Sequence, residues 1–92
     1  MAPLPVADIL AIAAKHGAEH VRLFGSRATG HARAESDVDL LVRLRPGRDL
    51  LDLVSLRDEL EATTGLTFDV VTERGLSPYL RDRILREARP LS

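Results

Sequence analysis

Residues 23 to 42 read LFGSRATGHARAESDVDLLV, a stretch that starts and ends apolar around two glycines, two arginines and a knot of acid. Its last part continues as DVDLLVRL, residues 37 to 44. Strand side chains alternate, so Val38, Leu40, Val42 and Leu44 share one face while Asp37, Asp39 and Leu41 share the other. The pattern predicts a strand with one face in the core and two carboxylates on the opposite face. Their Cα atoms would lie roughly 6.5 to 7 Å apart. Like charges so placed raise each other's pKa unless a cation neutralises them.

Upstream, HVRLFG (20 to 25) alternates Val21 and Leu23 against His20 and Arg22, a second short strand. Residues 25 to 36 form a turn-rich loop with room for one helical turn. Residues 5 to 16 predict a helix, with Val6, Ile9, Leu10 and Ala13 on one stripe, Pro5 in its first turn and Gly17 at its stop.

Downstream, RPGR (45 to 48) is a turn. Residues 49 to 64 predict an amphipathic helix, with Leu50, Leu53, Val54 and Leu60 inward, Arg57, Asp58, Glu59 and Glu61 mostly outward, and Gly65 as C-cap. LTFDVVT (66 to 72) is a third strand. Ser77 and Pro78 open a last helix, a cap residue followed by proline at its first position, with Leu80, Ile84 and Ala88 as its buried stripe.

The expected order is therefore α-β-β-α-β-α, a small α/β (α+β) domain with a mixed three-stranded sheet and packed helices. The long helix between the second and third strands permits those two to run parallel.

With 92 residues the chain is expected to form a single domain, 1–92. A hydrophobic fraction of 45% argues against disorder. The chain has no cysteine, which excludes disulfides and thiolate metal sites. No apolar run reaches the roughly 18 residues of a membrane span. The first ten residues lack the basic segment of a signal peptide, so a cytoplasmic location is expected.

The net charge of −1 is less basic than a general nucleic-acid binder carries, which argues against nucleic acid as a direct ligand. Twelve of the thirteen cationic residues are arginine. Arginine grips phosphate and carboxylate through a planar fork; a GC-rich genome would also favour it.

An Asp-x-Asp pair alone carries little information. With 14 acids in the chain, chance predicts about two acid pairs at this spacing, and the sequence has three: 35/37, 37/39 and 59/61. Three features give the 37/39 pair more weight. It leads directly into the apolar LLV. A further acid, Asp69, sits inside the apolar TFDVVT, where burial without a partner is costly. Gly25 and Ser26 follow the first strand with small residues that let backbone amides approach an anion. Two acids on one strand also suit Mg²⁺, which takes carboxylate oxygens and shares its shell with water and substrate phosphates.

Taken together, FGSRATG, SDVDLLV and FDVVT resemble the nucleotidyltransferases related to DNA polymerase beta, and most closely their minimal single-domain members. The resemblance runs over residues 20 to 75, with compatible helices on either side. It implies the polymerase beta-like nucleotidyltransferase fold. It also implies two Mg²⁺ ions held by the catalytic carboxylates Asp37, Asp39 and Asp69, with ATP as substrate.

By that likeness Asp37 and Asp39 ligate the ions that clamp the triphosphate. Asp69 completes the one that activates the attacking hydroxyl and accepts its proton. Gly25, Ser26, Arg27 and Ser36 belong to the nucleotide-binding side. Many such relatives carry Gly-Ser-Arg-x-Arg-Gly where this chain has Thr29 for the second arginine, which removes one cation from the loop. Arg33 stays open between a phosphate contact and a solvated loop residue, and His31 is a surface residue. Arg81, Arg83, Arg86 and Arg89 are open between a solvated helix face and a partner surface.

Minimal members often accompany a small HEPN ribonuclease toxin. The resemblance then implies an antitoxin that joins the toxin in a hetero-oligomer and transfers AMP from ATP to one of its hydroxyls, typically a tyrosine. Two alternatives stay open: transfer to a small molecule or RNA with a separate substrate-binding subunit, and a non-catalytic antitoxin that acts by binding alone.

Overall fold

The structure, a computed structural model, describes residues 4–30 and 37–91, so Ser36, His31 and Arg33 lie outside the described residues. Four strands form one sheet: β1 (Ala18–Phe24), β2 (Val38–Leu44), β3 (Phe68–Thr72) and β4 (Arg89–Pro90), in the order β3-β2-β1-β4. β2 pairs antiparallel with β1 and parallel with β3. The parallel pair is joined by the 15-residue helix α3 (Leu50–Thr64), as a parallel connection requires. The other helices are α1 (Val6–Lys15), the single turn α2 (Ser26–Thr29) and α4 (Pro78–Glu87).

One face of the sheet makes the core. Val38, Leu40 and Val42 of β2 are fully buried, joined by Val21 and Leu23 of β1 and by Phe68 and Val70 of β3. Ile9, Ile12 and Ala13 of α1 and Leu56 and Leu60 of α3 close over them. The other face carries Asp39, Leu41 and Arg43 of β2, Arg22 and Phe24 of β1, and Asp69 and Val71 of β3, by the register of the strands. Leu41 is fully buried there, flanked by its register partners Arg22 and Val71.

The sheet has four strands where three were expected. β4 is two residues long and contains a proline, which has no amide to donate, so it carries no alternation to read. It pairs only with Arg22 and Leu23 at the edge.

α3 also departs from expectation. Leu50 and Val54 are exposed (73% and 44%), Leu53 packs against the core half-buried as expected, and Leu56 and Leu60 are fully buried in it. At the helix start Asp49 accepts hydrogen bonds from the amides of Leu51 and Asp52, while Asp52 accepts from the amide of Asp49, a reciprocal cap that fixes where the helix begins. Gly65 ends the helix with φ +73°, as expected. α4 starts at Pro78 with Ser77 accepting from the Tyr79 amide, yet none of its residues is buried. Leu80 is 48% exposed, while Ile84 and Ala88 are half-buried.

Candidate active site

The carboxylates singled out in the sequence stand together at one rim of the sheet. Asp39 has two cross-strand neighbours in register, Phe24 on β1 and Asp69 on β3. Register partners in adjacent strands point to the same face, and their backbones run about 4.8 Å apart. Asp37 lies two residues before Asp39 and so shares that face. Asp69 therefore joins the pair across the parallel β2–β3 ladder, although 30 residues separate it from Asp39. The long crossover through α3 makes this juxtaposition possible.

The three acids are not equivalent. Asp39 is half-buried, while Asp37 and Asp69 are exposed. Burial pushes the Asp39 carboxyl above its ordinary range, and the charges of Asp69 and then Asp37 push it further the same way.

Gly25, between β1 and α2, closes the site from the other side. Its backbone sits at φ +75°, ψ −152°, a region essentially reserved for glycine. A Cβ built there would collide with Oδ2 of Asp39 and stand 3.2 Å from its Cγ. The backbone thus presses directly against the central carboxylate. From Gly25 the chain enters α2, where the Gly25 carbonyl accepts from the amides of Ala28 and Thr29 and from the Thr29 hydroxyl (3.2 Å). Thr29, which replaces an arginine common in the resembling sequences, here pins the turn. Ser26 and Arg27 occupy the first positions of this turn, half-buried beside the acids. First-turn amides have no intrahelical acceptor and so point outward as donors.

The donor type at this rim suits a hard divalent cation. The donors are all carboxylate oxygens, their mutual repulsion is relieved by positive charge, and two of the three open to solvent, leaving room for water and phosphate oxygens. Among the described residues no three side chains close into a ready ligand cage. The rim is an open row of oxygens, consistent with ions that share their shell with a substrate.

The three acids and the glycine turn are legible in the sequence as residues, whereas the contact between Gly25 and Asp39 has no signal there beyond the Gly-Ser that follows an apolar run. Among the described residues, no helix is long and apolar enough to cross a membrane.

Comparison with known proteins identifies the family and the fold. A candidate protein adenylyltransferase of Methanocaldococcus jannaschii is 45% identical over 80 residues, covering 87% of this chain and 86% of the relative. The protein adenylyltransferase MntA of Thermococcus cleftensis is 34% identical over 95 residues, covering 95% and 96%. The solved structure of a minimal nucleotidyltransferase superposes with TM-score 0.81 at 50% identity, covering 92% of this chain and 87% of that one. The same fold occurs in a complex of a tri-AMPylated Shewanella oneidensis HEPN toxin with an MNT antitoxin, at TM-score 0.72 and 19% identity, covering 95% and 68%. The nucleotidyltransferase domain family matches residues 8–91, and the chain belongs to that family.

Proposed function

We propose that this protein is a metal-dependent adenylyltransferase that moves AMP from ATP to a hydroxyl, typically a tyrosine, of a HEPN-type toxin and so acts as its cytoplasmic antitoxin. The observation that carries this reading is the register pairing of Asp39 with Asp69, beside a glycine turn that only glycine can make. The names of its relatives support the choice of a protein as acceptor.

In this reading Asp37, Asp39 and Asp69 hold two Mg²⁺ ions, which when bound neutralise the phosphates and lower the barrier to in-line displacement. The Gly25–Ser26 turn presents amides and the Ser26 hydroxyl to the triphosphate, and Arg27 adds a cation beside it. Ser36 is assigned to the nucleotide side on the same family likeness. The acceptor hydroxyl oxygen forms a bond to the α-phosphorus. The bond from that phosphorus to the oxygen bridging to the β-phosphate breaks, and its electron pair leaves with pyrophosphate. Asp69, exposed at the rim, takes the hydroxyl proton and passes it to water. Asp39, pressed by Gly25 and half-buried, positions rather than exchanges protons.

The test is incubation with α-labelled ATP, Mg²⁺ and a purified HEPN-type toxin that forms a complex with this chain. Label on the partner that is lost in Asp39→Asn supports the proposal. Neutralisation of the partner without label, unchanged in Asp39→Asn, overturns it.

A further inference from the structure

The open sheet face is electrically lopsided. Its acids gather where β2 begins. About 13 Å further along the strand, at Arg43, its character reverses. A cleft of about 820 Å³ opens there, and its lining includes Arg22, Arg43, Arg45, Arg48 and Arg74 against a single acid, Glu73. The chain as a whole carries −1, so five arginines and one carboxylate around one cavity is a strong local departure.

Three of the arginines already have counter-ions. Arg22 bonds Glu73 at 2.6 Å, Arg48 bonds Asp52 at 3.1 Å, and Arg45 stands 3.6 Å from Glu19. The side chains of Arg43 and Arg74 make no hydrogen bond or close ion pair among the described residues, although Arg43 lies within electrostatic reach of Glu73. The two therefore offer guanidinium forks to a ligand.

The backbone at the cleft is also shaped away from regular strand. His20 lines it with φ +51°, the single positive-φ non-glycine among the described residues. It sits at the bulge where the β1–β2 register shifts between Glu19 and Arg22. Such a conformation costs on the order of 1–3 kcal/mol and persists where surrounding structure demands it, often at ligand sites. Across from it, the turn after β2 places Arg45 and Arg48 together, the Arg48 amide donating to the Arg45 carbonyl at 3.1 Å.

We infer that this cleft is a second anion site that takes a compact ligand with contiguous phosphates, separate from the aspartate rim. Planar guanidinium forks match phosphate oxygens. The volume falls within the roughly 300–1,000 Å³ of small-molecule sites, which favours a compact polyphosphate over a long polymer. The lining has no Phe, Tyr or Trp ring on which a nucleic-acid base could stack, and its one flat ring is the imidazole of His20.

The test is calorimetric titration of the full chain with inorganic tripolyphosphate in EDTA, which keeps divalent ions off the aspartates. One equivalent is expected to bind. Arg43→Gln and Arg74→Gln each weaken it about tenfold, and Asp39→Asn leaves it unchanged. Both side chains are exposed and make no side-chain hydrogen bond among the described residues, so each variant is expected to melt within about 2 °C of wild type, and either one alone tests the site. Absence of binding, equal binding by the arginine variants, or loss of binding in Asp39→Asn overturns the inference. So does tighter arginine-dependent binding of a ten-residue oligonucleotide, which assigns the cleft to nucleic acid, or of an oligoglutamate peptide, which assigns it to an acidic protein segment. The measurement uses neither the toxin nor adenylyl transfer, so it succeeds or fails independently of the proposed function.

Discussion

Replacing Gly25 by alanine separates the two tasks that this residue performs. At φ +75°, ψ −152° an L-residue is strained by on the order of 1–3 kcal/mol. For a domain of about this size each kcal/mol lowers Tm by roughly 4–8 °C, so a fall of about 4 to 24 °C is expected in a thermal melt. The new Cβ must also displace the Asp39 carboxylate, because Oδ2 occupies its place. A shift of about 1 Å at a reacting group costs on the order of a hundredfold in rate, so labelled AMP transfer should drop about that much beyond any loss of folded protein. Gly30→Ala is the matched control. It has a similar φ of +81°, but a Cβ there meets nothing within 4 Å, so it should lose about 1–2 kcal/mol of stability and keep its transfer rate. If Gly25→Ala melts within 2 °C of wild type and transfers AMP within about twofold, the close packing of turn against carboxylate is refuted.

Other perturbations have equally definite outcomes. Asp39 holds its proton more tightly in the folded chain than in the unfolded one, so above the ordinary value of 3.8 its ionisation works against folding. Asp39→Asn should therefore melt higher than wild type at pH 7 in EDTA, and the advantage should shrink as pH falls through the raised pKa towards 3.8; a lower melting temperature at pH 7 would contradict this. The opposite sign holds for Glu73, whose carboxyl the Arg22 hydrogen bond keeps below its ordinary range. The stability of this pair is present above pH 4.5 and lost on acidification, so Arg22→Gln should flatten the acid limb of a pH–stability curve. Asp49→Ala removes an acceptor shared by two amides and should cost about 0.5–2 kcal/mol in urea denaturation. Leu56→Ala empties a fully buried position and should cost about 2–5 kcal/mol in the same assay.

How much of this was written in the chain varies with how local the physics is. β2 was legible because its alternation sets Val38, Leu40 and Val42 against Asp37 and Asp39, and the structure keeps that division. Asp69 stood out as an acid in an apolar strand, and its neighbour across the ladder follows once α3 is taken as a parallel crossover. The facing of α3 was only partly legible, because leucines recur along it at several phases and packing on the sheet chooses among them. β4 was hidden because two residues carry no period. The arginine cleft draws on β1, β2 and the turns after β2 and β3. Arg43, Arg45 and Arg48 hint at it in VRLRPGR, but only the assembled sheet brings Arg22 and Arg74 to them.

The sheet order β3-β2-β1-β4 has one more consequence. Gly25, Asp39 and Asp69 come from three strand ends spread over almost half of the chain, and they meet only after the parallel ladder has closed behind its crossover. A nascent or half-folded molecule therefore has no chemistry to misdirect. Competence arrives in one step with the β2–β3 pairing, so the active fraction of a preparation should track its cooperatively melting fraction one for one.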